Sequence, residues 1–329
     1  MNIAFAGLRH SHIYVLYNMA KTHPDYNIIG AFEDNEDAII DVQQNGVSCN
    51  YKSYEELLND DRVEVVALGG CYGDRGKMAV KALSYGKHVI SDKPLCISLE
   101  ELEEIKIAAL ENNRKVSCMF TMRYEPIIIA VKNLIVSGEL GEINNIYFGG
   151  QHPLQYGRRP DWYFQSGKHG GVISDIAIHG IDILKYWFGG ELNKINGARC
   201  WNKYAQYEPN FKDSAQFMIT MKNGAGVIAD VSYAIPDGIE FGLPYYWDFV
   251  VWGTRGTLRF SLADTSVVYY VKGDADPKKL CIAEGECNYL SDFLNMISGK
   301  ESILSMEDVF ASVKDTLEIQ EFADSFEKE

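Results

Sequence analysis

Short apolar runs alternate with amphipathic stretches through the first third of the chain. Residues 3–6 form an unbroken apolar run, the mark of a buried strand, and 11–21 then set Ile13, Leu16, Tyr17 and Ala20 on one helical stripe before a second strand at 27–32. The alternation continues with helices over 36–44 and 54–58, a strand at 63–68, a helix over 77–85 and a strand at 88–91 that stops at Asp92-Lys93-Pro94. A helix over 101–112 and a strand at 116–120 complete the series, with Ser98 and Glu101 spaced as a capping box. Strand and helix in strict turn predict a doubly wound parallel sheet with helices on both faces.

After Arg123-Tyr124-Glu125-Pro126 the pattern changes. A helix over 127–136 ends at Ser137-Gly138, and alternating aromatic and β-branched runs follow at 143–148, 195–201, 215–221, 226–234, 246–252, 257–261 and 267–271. Runs of this kind without helices between them predict a large, mostly antiparallel open sheet, interrupted by a helix over 174–188 and followed by helices near 289–297 and 306–326. The Gly- and Pro-containing stretch 149–161 is long enough to be a lid or binding loop. The fold class is α/β, with a boundary expected between residues 121 and 122. Aromatic strands such as 215–221 leave one sheet face to cover, so a homodimer or homotetramer is expected.

Composition narrows the function. The chain has 329 residues, 47% hydrophobic and 23% charged, ordinary values for soluble globular protein of about two domains. A net charge of -15 without a compensating Lys/Arg cluster argues against nucleic acid and anionic membrane partners. Seven cysteines, scattered from Cys49 to Cys287 without a Cys-x-x-Cys, argue against a disulfide framework or zinc knuckle and for reduced thiols in the cytoplasm. The apolar start is cut short by Arg9, His10, Ser11 and His12, so a signal segment is not expected.

Several positions carry chemistry. Gly7 sits between the first strand and helix, where a dinucleotide turn belongs, but of Gly-x-Gly-x-x-Gly only the first glycine survives in Gly7-Leu8-Arg9-His10-Ser11-His12. Glu33, with Asp34, ends the second strand where an acid would bind an adenosine ribose and repel a 2'-phosphate, which favours NAD over NADP. His10-x-His12 has no adjoining ligand cluster in sequence, so no metal is expected. Lys93, before a proline, is set in extended geometry at the carboxyl end of a strand, the edge where doubly wound sheets bind ligands. Asp175 and His179 are spaced i, i+4 on a helix opened by Gly170-Gly171, and Ile176, Ile183, Leu184 and Trp187 supply its buried stripe without them.

Taken with Ser53-Tyr54-Glu55-Glu56-Leu57-Leu58, Ala82 through Val89, Ser137 through Ile143 and Gly253-Thr254-Arg255-Gly256-Thr257-Leu258, these fragments make the chain resemble the glucose-fructose oxidoreductase, inositol dehydrogenase and rhizopine-catabolism family (Gfo/Idh/MocA) over nearly its whole length. The resemblance implies a dinucleotide-binding Rossmann domain over 1–121, a substrate-binding and oligomerisation domain over 122–329, and an NAD(P)-dependent dehydrogenase acting on CH-OH groups of a sugar, polyol or related polyhydroxy compound. It implies that Lys93 is the catalytic lysine, Asp175 the substrate-binding aspartate and His179 the catalytic histidine. Two segments depart from the family pattern: the glycine turn, and 69–75, which includes Gly70 and Cys71 where a Thr-Pro-Asn-x-x-His type segment usually lies beside the nicotinamide.

Cofactor contacts are expected from Gly7, Leu8, Arg9, His10, Glu33, Gly70, Cys71, Asp92 and Lys93, and substrate contacts from Arg123, Arg159, Trp162, Asp175 and His179. In this reading His179 takes the hydroxyl proton, Lys93 stabilises alkoxide charge and Asp175 orients substrate and imidazole. The competing expectation is a non-catalytic ligand- or dinucleotide-sensing regulator on the same fold, favoured by the eroded turn and opposed by the intact proton-transfer residues.

Overall fold

The computed structural model describes residues 1–189, 191–239, 243–283 and 288–325. The chain divides into two compact units: Met1–Met119 with Gln165–Gly170 and Asn288–Val313, and Phe120–Phe164 with Gly171–Cys287 and the residues from Lys314 on. The first division falls between Met119 and Phe120. That residues 165–170 and 288–313 pack with the first unit is not carried by periodicity along the chain.

In the first unit, β1 (Asn2–Leu8), α1 (His12–Thr22), β2 (Asn27–Phe32), α2 (Glu36–Gln44), α3 (Tyr54–Leu58), β3 (Val65–Gly69), α4 (Tyr72–Ser84), β4 (His88–Ser91), α5 (Leu99–Glu111) and β5 (Val116–Cys118) follow one another. The strands form one parallel sheet in the order β2-β1-β3-β4-β5. Strands buried on both faces read as unbroken apolar runs, and β3 is buried at every position. Ser98 Oγ accepts from the Glu101 amide at 3.2 Å, while the Glu101 carboxylate reaches back to the Ile97 amide at 3.1 Å, closing the capping box one residue early. α4 begins at Tyr72, ahead of the expected 77, because Gly73 and Gly76 depress helix propensity while burial of Tyr72 and Arg75 overrides it.

The second unit contains α6 (Pro126–Val136), β6 (Ile143–Pro153), a π-helical turn (Ile173–Ala177), α7 (Ile178–Phe188), β7 (Leu192–Trp201), β8 (Ser214–Met221), β9 (Gly226–Ile235), β10 (Asp248–Gly253), β11 (Gly256–Ser261), β12 (Val268–Val271) and β13 (Lys278–Lys279). Further on come α8 (Tyr289–Ile297), which packs in the first unit, and α9 (Met306–Ser325); the expected helix end at 326 lies outside the described residues. The eight strands run β13-β12-β11-β10-β6-β9-β8-β7, antiparallel except for the β6–β9 pair. β6 continues through Gly149 and Gly150 to Pro153, so part of the expected loop is strand.

Alternation separates the faces of this sheet. Phe148, Phe217, Phe249 and Phe260 point to the covered face, where Trp187 of α7 meets Phe249 and Phe260. α7 approaches closely because Gly180 has no side chain: a Cβ there would lie 2.4 Å from the Phe148 ring. Met218, Ile228 and Trp252 are about half exposed on the other face, and Met218 pairs across to Ile228, which pairs to Tyr147. No helix among the described residues is long and apolar enough to cross a membrane. Cys49, Cys71, Cys96, Cys118, Cys200 and Cys281 form no disulfide, and Cys287 lies outside the described residues.

Candidate functional site

In the first unit, chemistry collects at the carboxyl edge of the parallel sheet. Gly7 has φ +68°, and a Cβ on it would stand 2.8 Å from the Gly70 backbone, so the turns after β1 and β3 touch main chain to main chain. The surviving glycine is therefore explained by this contact as well as by its turn. The Leu8 amide donates to Glu33 at 2.6 Å, and the Arg9 and His10 amides both donate to the Gly69 carbonyl at 3.1 Å. The amides of these three expected cofactor contacts are already bonded within the protein.

A cleft of about 420 Å³ opens here, lined among others by Gly7, Arg9, Phe32, Asp34, Tyr54 and Cys71. Glu33 corrects a sequence expectation. Its side chain is buried and accepts from the amides of Leu8, Asp34 (3.0 Å) and Asn35 (2.9 Å) and from Arg9 Nε (3.0 Å), so it shapes the turn from beneath. The acid facing the cleft is Asp34, whose side chain is 66% exposed and which accepts from Arg9 Nη2 at 2.5 Å. Burial opposes the charge on Arg9, but Glu33 outweighs it and raises the guanidinium pKa further. Arg9 meets the two carboxylates of Glu33 and Asp34, and the cleft lining adds Lys52 against Glu55 and Asp74, so carboxylates outnumber cations here.

Asp92 is fully buried at the end of β4. It accepts from His10 Nδ1, from Arg75 Nη2 at 3.0 Å and from the Lys93 amide at 2.7 Å. Burial raises its pKa, yet His10 and Arg75 together hold it well below the usual carboxylate range. Burial pushes His10 down to about 3 against the pull of Asp92, so His10 is a neutral donor to an ionised carboxylate. Arg75, also fully buried, donates to the carbonyls of Gly70 (2.9 Å), Lys93 (2.6 Å) and Pro94 (3.1 Å). It clamps the chain on both sides of Lys93, whose peptide with Pro94 is cis. Lys168 and His169 pack in this unit too, Lys168 on Asp74 at 2.7 Å and His169 against the Tyr72 ring.

Ligand atoms of His10, His12 and Asp92 lie within 4.8 Å of one another. Asp92, eighty residues away, was invisible to a reading based on local spacing. Arg75 already pairs with this carboxylate at 3.0 Å, so a divalent ion on it would face a buried guanidinium.

In the second unit, Asp175 and His179 are both buried, Asp175 inside the π-helical turn and His179 in the first turn of α7. The expected uniform α-helix is widened here, a departure that often marks functional sites. Tyr233 on β9 donates its hydroxyl to Asp175. Burial, then the Asp175 charge, push the Tyr233 pKa well above its ordinary value, so it remains a donor. His179 meets Trp247 edge to face at 5.9 Å.

The three remaining substrate expectations change character. Arg123 is buried in a bidentate pair with Asp182, at 2.7 Å for both bonds, which ties the segment before α6 to α7. Arg159 donates to the Leu154 carbonyl (3.0 Å) and Tyr163 hydroxyl (2.9 Å), with its guanidinium over the Tyr163 and Tyr233 rings. Trp162 is buried against Tyr163. Lys93 belongs to the first unit, and Asp175 and His179 to the second. Arg75, Tyr233 and Trp247 went unnoticed in the sequence; the only hint was an arginine set among helix-weakening glycines.

A model of an oxidoreductase family with an NAD-binding Rossmann fold matches residues 1–120, and one of the Gfo/Idh/MocA C-terminal domain matches 128–259. The chain is 29% identical over 185 residues to a scyllo-inositol 2-dehydrogenase (NAD(+)) of Bacillus subtilis, covering 56% of this chain and 52% of the relative. It is 25% identical over 238 residues to a levoglucosan dehydrogenase of Pseudarthrobacter phenanthrenivorans, covering 66% and 60%. These matches thus span about half of the relatives' lengths. Among solved structures, a levoglucosan dehydrogenase in complex with NADH superposes with a TM-score of 0.79 at 20% identity, covering 99% of this chain and 97% of that one. An aldose-aldose oxidoreductase from Caulobacter crescentus superposes with a TM-score of 0.80 at 17% identity, covering 99% and 98%. At such identities the likeness is one of fold.

Proposed function

The chain belongs to the Gfo/Idh/MocA family, and from that premise we propose that it is an NAD-dependent dehydrogenase oxidising a secondary hydroxyl of a sugar, polyol or related polyhydroxy compound. The observation that carries the reading is the buried Asp175–Tyr233 hydrogen bond in a π-helical turn that also leads into His179. A carboxylate fixed by a tyrosine has a set direction, suited to holding a substrate hydroxyl and keeping the imidazole oriented. His179 is the general base for the hydroxyl proton, imidazole chemistry being matched to neutral pH. Lys93, its backbone clamped by Arg75, provides the positive charge that stabilises developing alkoxide.

Bound nicotinamide supplies the hydride acceptor. The cleft fits its adenosine half: Asp34 offers acceptors at the carboxyl end of β2, and Gly7 and Gly70 keep the floor free of side chains. The negative corner formed by Asp34, Glu33 and Arg9 supports NAD over NADP, because a 2'-phosphate would meet uncompensated charge. The apolar outer sheet face, with Met218, Ile228 and Trp252 exposed, supports a homodimer or homotetramer formed through it. Cysteines outside any disulfide among the described residues support a reducing, cytoplasmic setting.

Calorimetric titration with NAD and NADP, followed by a polyol screen for reduced nicotinamide, tests the proposal. NAD binding with turnover is expected. The bonded amides of Leu8, Arg9 and His10 are the observation that favours a sensing regulator, and dinucleotide binding without turnover of any polyhydroxy compound would establish that reading instead.

A further inference from the structure

We propose that the second unit carries an outer saccharide subsite, formed by Gln155, Tyr156, Arg158 and Asp237, that receives the ring glycosidically attached to the one being oxidised; this rests on the dehydrogenase reading above. β6 and β9 are the parallel pair of their sheet, and their carboxyl ends lie side by side, Pro153 in register with Ala234 and Ile235. There the residues following the two strands enclose a cleft of about 220 Å³. That is below the about 300 Å³ of typical drug-sized sites and suits a single ring.

The cleft is built rather than incidental. Gln155 holds φ +54°, a conformation that costs a non-glycine residue roughly 1–3 kcal/mol and persists only where its surroundings enforce it. Its amide donates to Asp237 at 2.7 Å, and its carbonyl accepts from the Arg158 and Arg159 amides at 2.9 and 3.1 Å. Tyr156, 48% exposed, is fixed by its hydroxyl bond to Glu208 at 3.0 Å and by ring contact with Tyr207 at 4.3 Å. An exposed aromatic face held in place beside one cationic and one anionic side chain matches a neutral sugar ring. The ring's C–H face lies on the tyrosine, while its hydroxyls donate to carboxylate and accept from guanidinium.

A relay of contacts leads from this loop to Asp175. Arg159, next to Arg158, stacks over Tyr233, and Tyr233 donates to Asp175. Occupancy of the outer cleft therefore bears on the loop that supports the substrate-orienting carboxylate.

The test compares kcat/KM for the monosaccharide turned over best with that for its disaccharides, in the wild type and in Tyr156→Ala and Arg158→Ala. Saturation-transfer NMR with maltose, cellobiose, lactose and sucrose gives a readout independent of turnover. The wild type is expected to favour at least one disaccharide by about tenfold, with both variants losing that preference and leaving monosaccharide turnover unchanged. Equal use of both sugar classes by the wild type, or equal losses on both in the variants, would overturn the proposal. Disaccharide binding that depends on Tyr156 without any sugar turnover would retain the subsite and defeat the dehydrogenase reading; turnover without such binding would do the reverse.

Discussion

Replacing Arg75 by methionine keeps most of the buried volume and removes every polar bond of the clamp. Asp92 would lose the guanidinium at 3.0 Å, and the Gly70, Lys93 and Pro94 carbonyls would lose their donor, all in a fully buried place. Stranding one partner of a buried ion pair costs about 3–5 kcal/mol, and each stranded buried acceptor costs about 1–3 kcal/mol. These terms are not additive, but a loss of at least about 4 kcal/mol is expected, a large share of the roughly 5–15 kcal/mol that holds a typical domain. All five tryptophans lie in the second unit, so fluorescence does not follow this region. Amide hydrogen exchange in β3 and β4 does, and 4 kcal/mol corresponds to roughly a thousandfold loss of protection. Asp92→Asn in the same background should recover part of it, with a coupling of about 1–3 kcal/mol in the double-mutant cycle. Less than a tenfold change in Arg75→Met, or strictly additive effects, would refute the clamp.

Other consequences can be checked with the same preparations. Asp34→Ser leaves Arg9 facing the cleft with one carboxylate fewer, so the NADP/NAD affinity ratio should rise about tenfold or more by calorimetry; an unchanged ratio removes Asp34 from cofactor choice. His10 has its folded pKa lowered from the ordinary 6.5 to about 3, so below pH 6.5 the unfolded chain takes up a proton that the folded chain refuses. Its contribution is complete above pH 6.5 and lost as pH falls towards 3, at up to about 1.4 kcal/mol per pH unit; His10→Asn should flatten the stability profile across that window, and parallel profiles would count against a neutral buried His10. Tyr233→Phe should lower kcat more than it raises KM and move the acid limb of the pH–rate profile, whereas an unaltered profile would reduce Tyr233 to packing.

The first sheet was legible because its strands are buried on both faces and appear as plain apolar runs, and Asp92-Lys93-Pro94 marked the end of one of them. Glu33 and Asp34 show where such reading stops. Both acids follow β2, and which of them faces the ligand depends on the Leu8 and Arg9 donors brought in from β1 and its turn. Arg75 was hidden for a related reason. An arginine between glycines ordinarily reads as solvent-facing, and its partners become neighbours only when β3 and β4 lie side by side. The second sheet declared its alternation, but β13 has two residues, too few to leave a pattern. The π-helical turn was equally silent, since the residues that widen a helix carry the same apolar periodicity as those that do not.

The proposed reaction is proton abstraction by His179 from a polyhydroxy substrate, coupled to reduction of NAD. The measurement that meets it most directly is the near-ultraviolet absorbance of reduced nicotinamide, followed on mixing protein, NAD and a panel of inositols, aldoses and anhydrosugars, for the wild type, Lys93→Met and His179→Asn. Turnover of at least one secondary alcohol by the wild type is expected, with a fall of about 10²–10⁴-fold in each variant and hydrogen-exchange protection intact. Wild-type rates in His179→Asn, or no reduced nicotinamide from any member of the panel with NAD bound, would contradict it.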